Sequence, residues 1–520
     1  MKLFQNKMIK GTLILTIAGI ITRFIGFYYK IFLADILGAR LLGTYQLIFP
    51  VYGICFTIYA AGIQTAISQL IGTSSGKKDS HSMSPLKILV YGCLLSLCLS
   101  LFMSAIIYTG ADWIAANIIL EPACTPYLKI ISLLFPFCGV SACICGYYYG
   151  IQNASVPAGS QIIEQLARVA FVFLICALFG ADENKCCIIA VWGIVIGEIA
   201  GFLFNFIKLI VSITSQRKLS GFKDKKKSAD KNLHKKHPVF KSLIILAVTL
   251  TSTKLIVSLL HSAESIFIPA ALTKYGCTSS EALSIYGMLS GMAMPFILFP
   301  TAISNAFATM LLPAVAKSQA ENDTAAISKS VTFAVKYSLL IGWLFVYIFI
   351  IHGNNMGTLF FHNKTAGSYI VTLAWLCPFI YISTTLTGII NGMGHTQLTF
   401  IMTVVSLIVK IYSLVALVPV YGIKAYLMGM LISQILMTFM EVFYLKEYII
   451  PDTVHWIIIP CVSLMAVGFL SDKLSKIIIS AFPYISGIFI LFIICCFIAL
   501  SYIIILWISG CISKDFKRAK

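Results

Sequence analysis

Charge is scarce in these 520 residues. Only 11% are Asp, Glu, Lys or Arg, where a soluble chain carries about a quarter. Acidic residues are the scarcer sign, 19 against 38 Lys and Arg. Together with 59% hydrophobic content and a mean hydropathy of +0.94, this excludes a soluble globular domain. A transmembrane β-barrel is excluded too, because its short alternating segments give weak overall hydropathy.

Other absences narrow the function. Sixteen cysteines are present, but no Cys-x-x-Cys pair and no Cys/His cluster at zinc spacing. The cysteines read as small hydrophobes in a reduced, membrane-buried setting, and neither metal nor cofactor is expected. Residues 72–78, GTSSGKK, have the wrong spacing for a phosphate loop and lack the hydroxyl residue after lysine. No catalytic carboxylate pair and no nucleophile with a local base stands out, so an enzyme is not expected. With no sign of ATP hydrolysis, transport would be driven by a gradient or by substrate supply.

What is present is hydrophobic runs near twenty residues long, the length that crosses about 30 Å of hydrocarbon. The expectation is an all-α, polytopic membrane protein with about 14 transmembrane helices. The basic start, 1–10, leads into an apolar run too long for a signal peptide and without a small-residue cleavage site, so the first helix is expected to be retained. Lys77, Lys78, Lys87, Lys317, Lys329, Lys514, Lys517, Arg518 and Lys520 fall on the side of the basic N-terminus. Asp112, Glu121, Asp182 and Glu183 fall opposite. Both termini of this multi-pass cell-membrane protein are therefore expected in the cytoplasm. The net charge of +19 then reflects cytoplasmic lysine, and no nucleic-acid partner is expected.

The lysine-rich stretch 216–241 divides six spans from eight, and the two sides look related. A shift of 231 places Lys10 on Lys241 and Arg23 on Lys254; 241 places Tyr45 on Tyr286 and Gln64 on Asn305; 242 places Gly146 on Gly388, Gly150 on Gly392 and Arg168 on Lys410. Two six-helix pseudo-symmetric lobes plus a terminal helix pair follow, with an axis along the membrane normal. The expected organisation is 1–215, a basic cytoplasmic linker 216–241, 242–447, and a last helix pair with a basic tail at 448–520.

Charges inside the spans carry the functional argument. In the first run, 11–33, Gly19, Arg23, Gly26 and Lys30 share one helical face. A cation at the bilayer centre costs roughly 3 kcal/mol on insertion scales, so this face points to a protein interior or wet cavity. Lys254, Arg168 and Lys410 are the further cations, and a central positive cavity where the two halves face each other would suit an anionic head group. Lys30, near a helix end, could instead snorkel to the interface. Glu164, Glu198, His261 and Glu264 are candidates for coupling or ion pairing, and Glu164 with Arg168 also reads as a structural i, i+4 pair. Pro50, Gly287, Gly291, Pro295 and Pro300 interrupt spans at matching places. They serve either as bending points or as packing kinks.

Several stretches resemble the stage V sporulation protein B group of polysaccharide transporters, relatives of the MurJ lipid II flippases in the MOP/MATE superfamily. They include Arg23-Phe-Ile-Gly26-Phe27, Leu37-Gly38, Tyr45 through Tyr52, Gly146-Tyr-Tyr-Tyr-Gly150, Gln161-Ile-Ile-Glu164-Gln165, Ser262-Ala-Glu264, Tyr286-Gly287, Gly291 through Pro295, Phe299-Pro300 and Asn391-Gly392-Met-Gly394. The resemblance implies a fourteen-helix flippase that moves an undecaprenyl-linked saccharide, with lipid II as candidate, to the outer leaflet for peptidoglycan, spore cortex or polysaccharide synthesis. It implies that Arg23 lines a cationic cavity, that the last two spans cover a groove for the lipid tail, and that cell-wall synthesis enzymes are candidate partners. The alternative is a MATE-like cation-coupled multidrug antiporter, which would use Glu164, Glu198 and Glu264. A membrane glycosyltransferase would need a catalytic carboxylate and long outer loops, and the outer loops here are short.

Overall fold

A computed structural model describes residues 7–76, 84–179, 183–220, 239–481 and 486–512, and no strand occurs among them. Thirteen helices there are long and apolar enough to cross a bilayer, and the bent pair Pro122–Ser132 and Phe135–Gly150, meeting at 51°, makes a fourteenth span. Counting that pair as the fourth, spans one to seven are Leu13–Gln46, Ile48–Thr73, Pro85–Ile119, the bent pair, Ser155–Leu178, Lys185–Ser215 and Phe240–Tyr275. Spans eight to fourteen are Ser279–Leu298, Thr324–Phe361, Lys364–Gly392, Thr396–Tyr421, Ile423–Tyr444, Val454–Ser471 and Gly487–Ile508. The lysine run of the linker at 221–238, Lys77 and Lys78, Asp182, and the tail 513–520 lie outside the described residues.

The interruptions have local causes. Gly38 sits at φ +64° within the helix Lys7–Gln46, a left-handed conformation that glycine adopts without a Cβ clash, and the helix kinks there. Pro136 opens the second half of the bent fourth span; its missing N–H and its ring prevent one straight helix. The expected eighth span, 282–314, is divided: Ser279–Leu298 is followed after Phe299-Pro300 by a separate helix, Thr301–Ala320. Pro300 cannot donate the bond that would continue the first piece. Thr278 starts the eighth span with a reciprocal capping box, its hydroxyl accepting from the Glu281 N–H.

The chain forms two compact units. The first comprises Met1–Tyr29 and Thr44–Ile266, the second Lys30–Gly43 and Phe267–Lys520. In the first, Gly146 and Gly150 bring the fourth span onto the second, where an added Cβ would lie 2.5 Å from Gln64 O and 2.7 Å from Ile71 Cβ. In the second, Gly388 and Gly392 bring the tenth span onto Thr301–Ala320, at 2.8 Å from Ala308 Cβ and 2.7 Å from Leu312 O. Ile71 and Leu312 stand at the shift of 241, Gly150 and Gly392 at 242, so one helix crossing recurs within each unit. The last two spans pack on the ninth: Tyr502 donates to Leu340 O at 3.1 Å, and Gly468 leaves no room for a methyl beside the Tyr347 hydroxyl.

Candidate functional site

Spans five and six of the first unit form an antiparallel hairpin at close range. Gly193, Gly197 and Gly201, four residues apart, present one stripe of the sixth span to the fifth. A Cβ at Gly197 would lie 2.9 Å from Glu164 O, and one at Gly193 would lie 2.4 Å from Val172 Cγ2. Ser160 donates to Gly201 O at 3.3 Å. The hairpin is tight because the sixth span offers no side chains along this line.

That approach places an ionic cluster inside the unit. Arg168 Nη2 donates to Glu164 Oε1 at 2.5 Å, while Arg168 Nε is buried without an acceptor. Glu198, beside Gly197, lies within electrostatic reach of both and faces Tyr52 and Cys138. Tyr52 and Cys138 are themselves joined, Oη to Sγ, at 3.4 Å. One guanidinium thus pairs with Glu164 while a second carboxylate, Glu198, stands within its electrostatic reach. The pair engages one side of the Arg168 guanidinium by a charge-assisted hydrogen bond. One turn and more from Glu198, fully buried Asn205 points its amide nitrogen at Ser141 Oγ (2.8 Å), Ser160 Oγ (2.9 Å) and Cys145 Sγ (3.3 Å). Its carbonyl oxygen has no partner.

The other expected residues fall in both units. Lys254 is exposed, and its ammonium donates to Ala61 O at 2.8 Å and Thr65 Oγ1 at 2.7 Å. His261 Nδ1 is 3.5 Å from Glu264 Oε2, with the histidine exposed and the glutamate 8% exposed. Arg23 is half-buried in the first unit. Lys30, exposed, and Lys410, half-buried, belong to the second unit.

Among the interruption residues, Gly287 and Gly291 are sites of close packing in the second unit. A Cβ would lie 1.9 Å from Ala39 O at Gly287 and 2.4 Å from Leu42 Cδ2 at Gly291. Both sit in a π-helical turn, Gly287–Ala293, that runs into Pro295. Pro50 lies in the helix Ile48–Phe56, and its carbonyl accepts from Ser262 Oγ at 2.9 Å.

Glu441 of the twelfth span is a residue that sequence reasoning missed. It is fully buried, and its Oε1 accepts from Thr387 Oγ1 at 2.6 Å. A lone carboxylate in the apolar run 435–445 was the available signal. Asn205, in an equally apolar helix, carried no charge to mark it.

The chain matches the family described as "Polysaccharide biosynthesis protein" over residues 8–319. It is 23% identical over 442 residues to stage V sporulation protein B of Bacillus subtilis (strain 168), covering 84% of this chain and 83% of that protein. Among solved structures, it is similar to lipid II flippase MurJ in an inward closed conformation, with TM-score 0.69 and 15% identity, covering 96% of this chain and 98% of that one. It is also similar to an inward-facing multidrug resistance MATE family transporter of the MOP superfamily, with TM-score 0.63 and 12% identity over 84% and 97%.

Proposed function

We propose that this chain, which belongs to the polysaccharide biosynthesis protein family, moves an undecaprenyl-pyrophosphate-linked saccharide from the cytoplasmic to the outer leaflet, with lipid II as the candidate. The family and the fold are those of membrane transporters of the flippase type. The observation that carries the substrate reading is Lys254, an ammonium within an apolar span that remains exposed on its own unit. With Arg23 it offers the first unit a cationic surface that a pyrophosphate would engage by charge-assisted hydrogen bonds. Lys30 and Lys410 are the second unit's candidates. Support for the lipid-linked cargo comes from relatives named as a lipid II flippase and a sporulation protein. Cytoplasmic termini, the lobes 1–215 and 242–447 with the pair 448–520, and cell-wall synthesis enzymes as partners complete the reading.

The carboxylate surplus at Glu164 and Glu198 favours one further element: a proton or cation as coupling ion, which a MATE-like antiporter would share. Reconstitution into liposomes with labelled lipid II, followed by leaflet exchange, tests the main reading. Exchange by wild type, reduced at least about tenfold in Arg23→Ala and Lys254→Ala, is expected, since each removes a charge-assisted contact. No exchange by wild type, or full exchange by both variants, would overturn it. Efflux of a cationic drug that Glu264→Gln abolishes would favour the antiporter.

A further inference from the structure

By hydropathy the second span is one helix, but its backbone is three: Ile48–Phe56, a π-helical turn at Thr57–Ala61, and Gly62–Gly76. A π turn shifts the hydrogen-bond ladder by one residue, and a carbonyl it leaves short of a donor inside a bilayer must be satisfied from a neighbouring element. Ala61 is the last residue of the turn, and its carbonyl takes a donor from the seventh span as well as from its own helix. Lys254 Nζ reaches Ala61 O at 2.8 Å and Thr65 Oγ1 at 2.7 Å. Thr65 in turn donates to Ala61 O at 2.9 Å, so ammonium, hydroxyl and carbonyl form a closed triangle.

The seventh span grips the second on both sides of this point. A Cβ at Gly62 would lie 1.9 Å from Thr251 Oγ1, one at Gly53 would meet Ser258 Oγ at 3.7 Å, and Ser262 donates to Pro50 O. Of these contacts Lys254 is the charged one, and its side chain is exposed. An ammonium has three donors, and the triangle uses two. An anion arriving from the exposed side can take the third and then compete for the others, because a phosphate oxygen binds a cation more strongly than a neutral carbonyl does.

We propose that Lys254 is a positioning residue that latches the π turn of the second span, and that an anionic lipid head group releases the latch by drawing the ammonium to itself. The release step rests on the reading that the cargo is a polyprenyl pyrophosphate; the latch does not. Once the ammonium leaves Ala61 O and Thr65 Oγ1, the seventh span no longer pins the end of the turn, which can relax towards α geometry and rotate Gly62–Gly76 about its axis.

Hydrogen–deuterium exchange of peptides covering 57–65, in full-length protein in nanodiscs, tests both parts. Wild type, Lys254→Met and Lys254→Arg are compared with and without undecaprenyl pyrophosphate. Without lipid, Lys254→Met is expected to exchange about tenfold faster in this segment, as loss of a charged hydrogen bond implies, and Lys254→Arg to stay near wild type. Lipid should accelerate wild type and leave Lys254→Met unchanged. Equal exchange in wild type and Lys254→Met without lipid overturns the latch, whatever the cargo is. A wild type that binds the lipid without any change in exchange overturns the release step. A wild type that does not bind it, by flotation with labelled lipid, overturns the cargo reading and the release step while leaving the latch to stand on the lipid-free comparison. Should Lys254→Met not fold, Lys254→Gln, which removes the charge and shortens the reach to Ala61 O, carries the same comparison, with acceleration expected and unchanged exchange counting against the latch.

Discussion

Thr387 of the tenth span donates its hydroxyl to Glu441 Oε1 of the twelfth at 2.6 Å, in a setting where the glutamate has no exposed surface. Glu441 Oε2 lies buried with no hydrogen bond, although Ser383 is close on the same face of the tenth span. A carboxyl held by one hydroxyl depends on it, because a lost donor is not replaced by water in this interior. Thr387→Val is therefore expected to destabilise the protein by about 1–3 kcal/mol, whereas Glu441→Gln keeps the acceptor and the shape. Thermal unfolding in detergent should show a clear drop for the first and a small one for the second; the reverse order would contradict the assignment.

The Glu164–Arg168–Glu198 cluster makes a double-mutant prediction. Arg168→Met leaves two carboxylates facing each other and is expected to cost about 2 kcal/mol, the scale of a charge-assisted hydrogen bond. Adding Glu164→Gln should restore part of that loss. Unfolding midpoints for wild type, both single variants and the double give the coupling directly. Additive effects would show that the pair is not coupled.

Close approach of the fifth and sixth spans predicts a steric effect at Gly197. A Cβ there would stand 2.9 Å from the Glu164 carbonyl and 3.1 Å from Arg168 Cβ, and the carbonyl is backbone that a rotamer change cannot move aside. Gly197→Ala should cost on the order of 1–3 kcal/mol, as overpacking typically does. Gly72→Ala, where nothing lies within 4 Å, is the control and should melt with wild type.

The same hairpin can be trapped by oxidation. Cys176 Sγ and Cys186 Sγ are 3.7 Å apart, on the line that pairs Glu164 with Gly197. Diamide should join them into a disulfide, its azo group being reduced to the hydrazine as the two thiols lose their hydrogens. Loss of alkylation at both positions by mass spectrometry is the readout, and Cys176→Ser should leave Cys186 open to alkylation. If both thiols still alkylate after diamide, the registration of the hairpin is wrong at that end.

Asp452 supplies a pH prediction outside the spans. Its carboxylate is held below the usual aspartate range, first by the His455 side chain, whose Nδ1 is 2.7 Å from Oδ2, and then by the His455 N–H, 3.1 Å from Oδ1. For a carboxyl with a depressed folded-state value, stability is fully present above the unfolded-state value and is lost as pH falls through the folded one. Wild type should therefore lose stability on acidification below the ordinary aspartate range, and Asp452→Asn should flatten that limb. Melting curves across the acid range check it.

Much of this molecule is legible in its residues alone, for one physical reason. A bilayer demands about twenty apolar residues per crossing and makes every charge within them conspicuous. Spans and the pairing of Glu164 with Arg168 follow from local composition and helical spacing, and the correspondence of Gly150 with Gly392 from the constant offset between the two halves. Local rules do not reach contacts between distant helices. Whether Lys254 stands alone or caps a distorted turn depends on which span packs against it, and the partners Ala61 and Thr65 lie nearly two hundred residues away. Glu441 and Asn205 were overlooked for the same reason, since a buried polar side chain acquires meaning only from the neighbours that satisfy it. The sequence by itself determined that this protein crosses the membrane many times and carries cations where lipid would not tolerate them. Only the tertiary structure decided which of those charges are paired and which remain exposed, because that depends on which helices pack together.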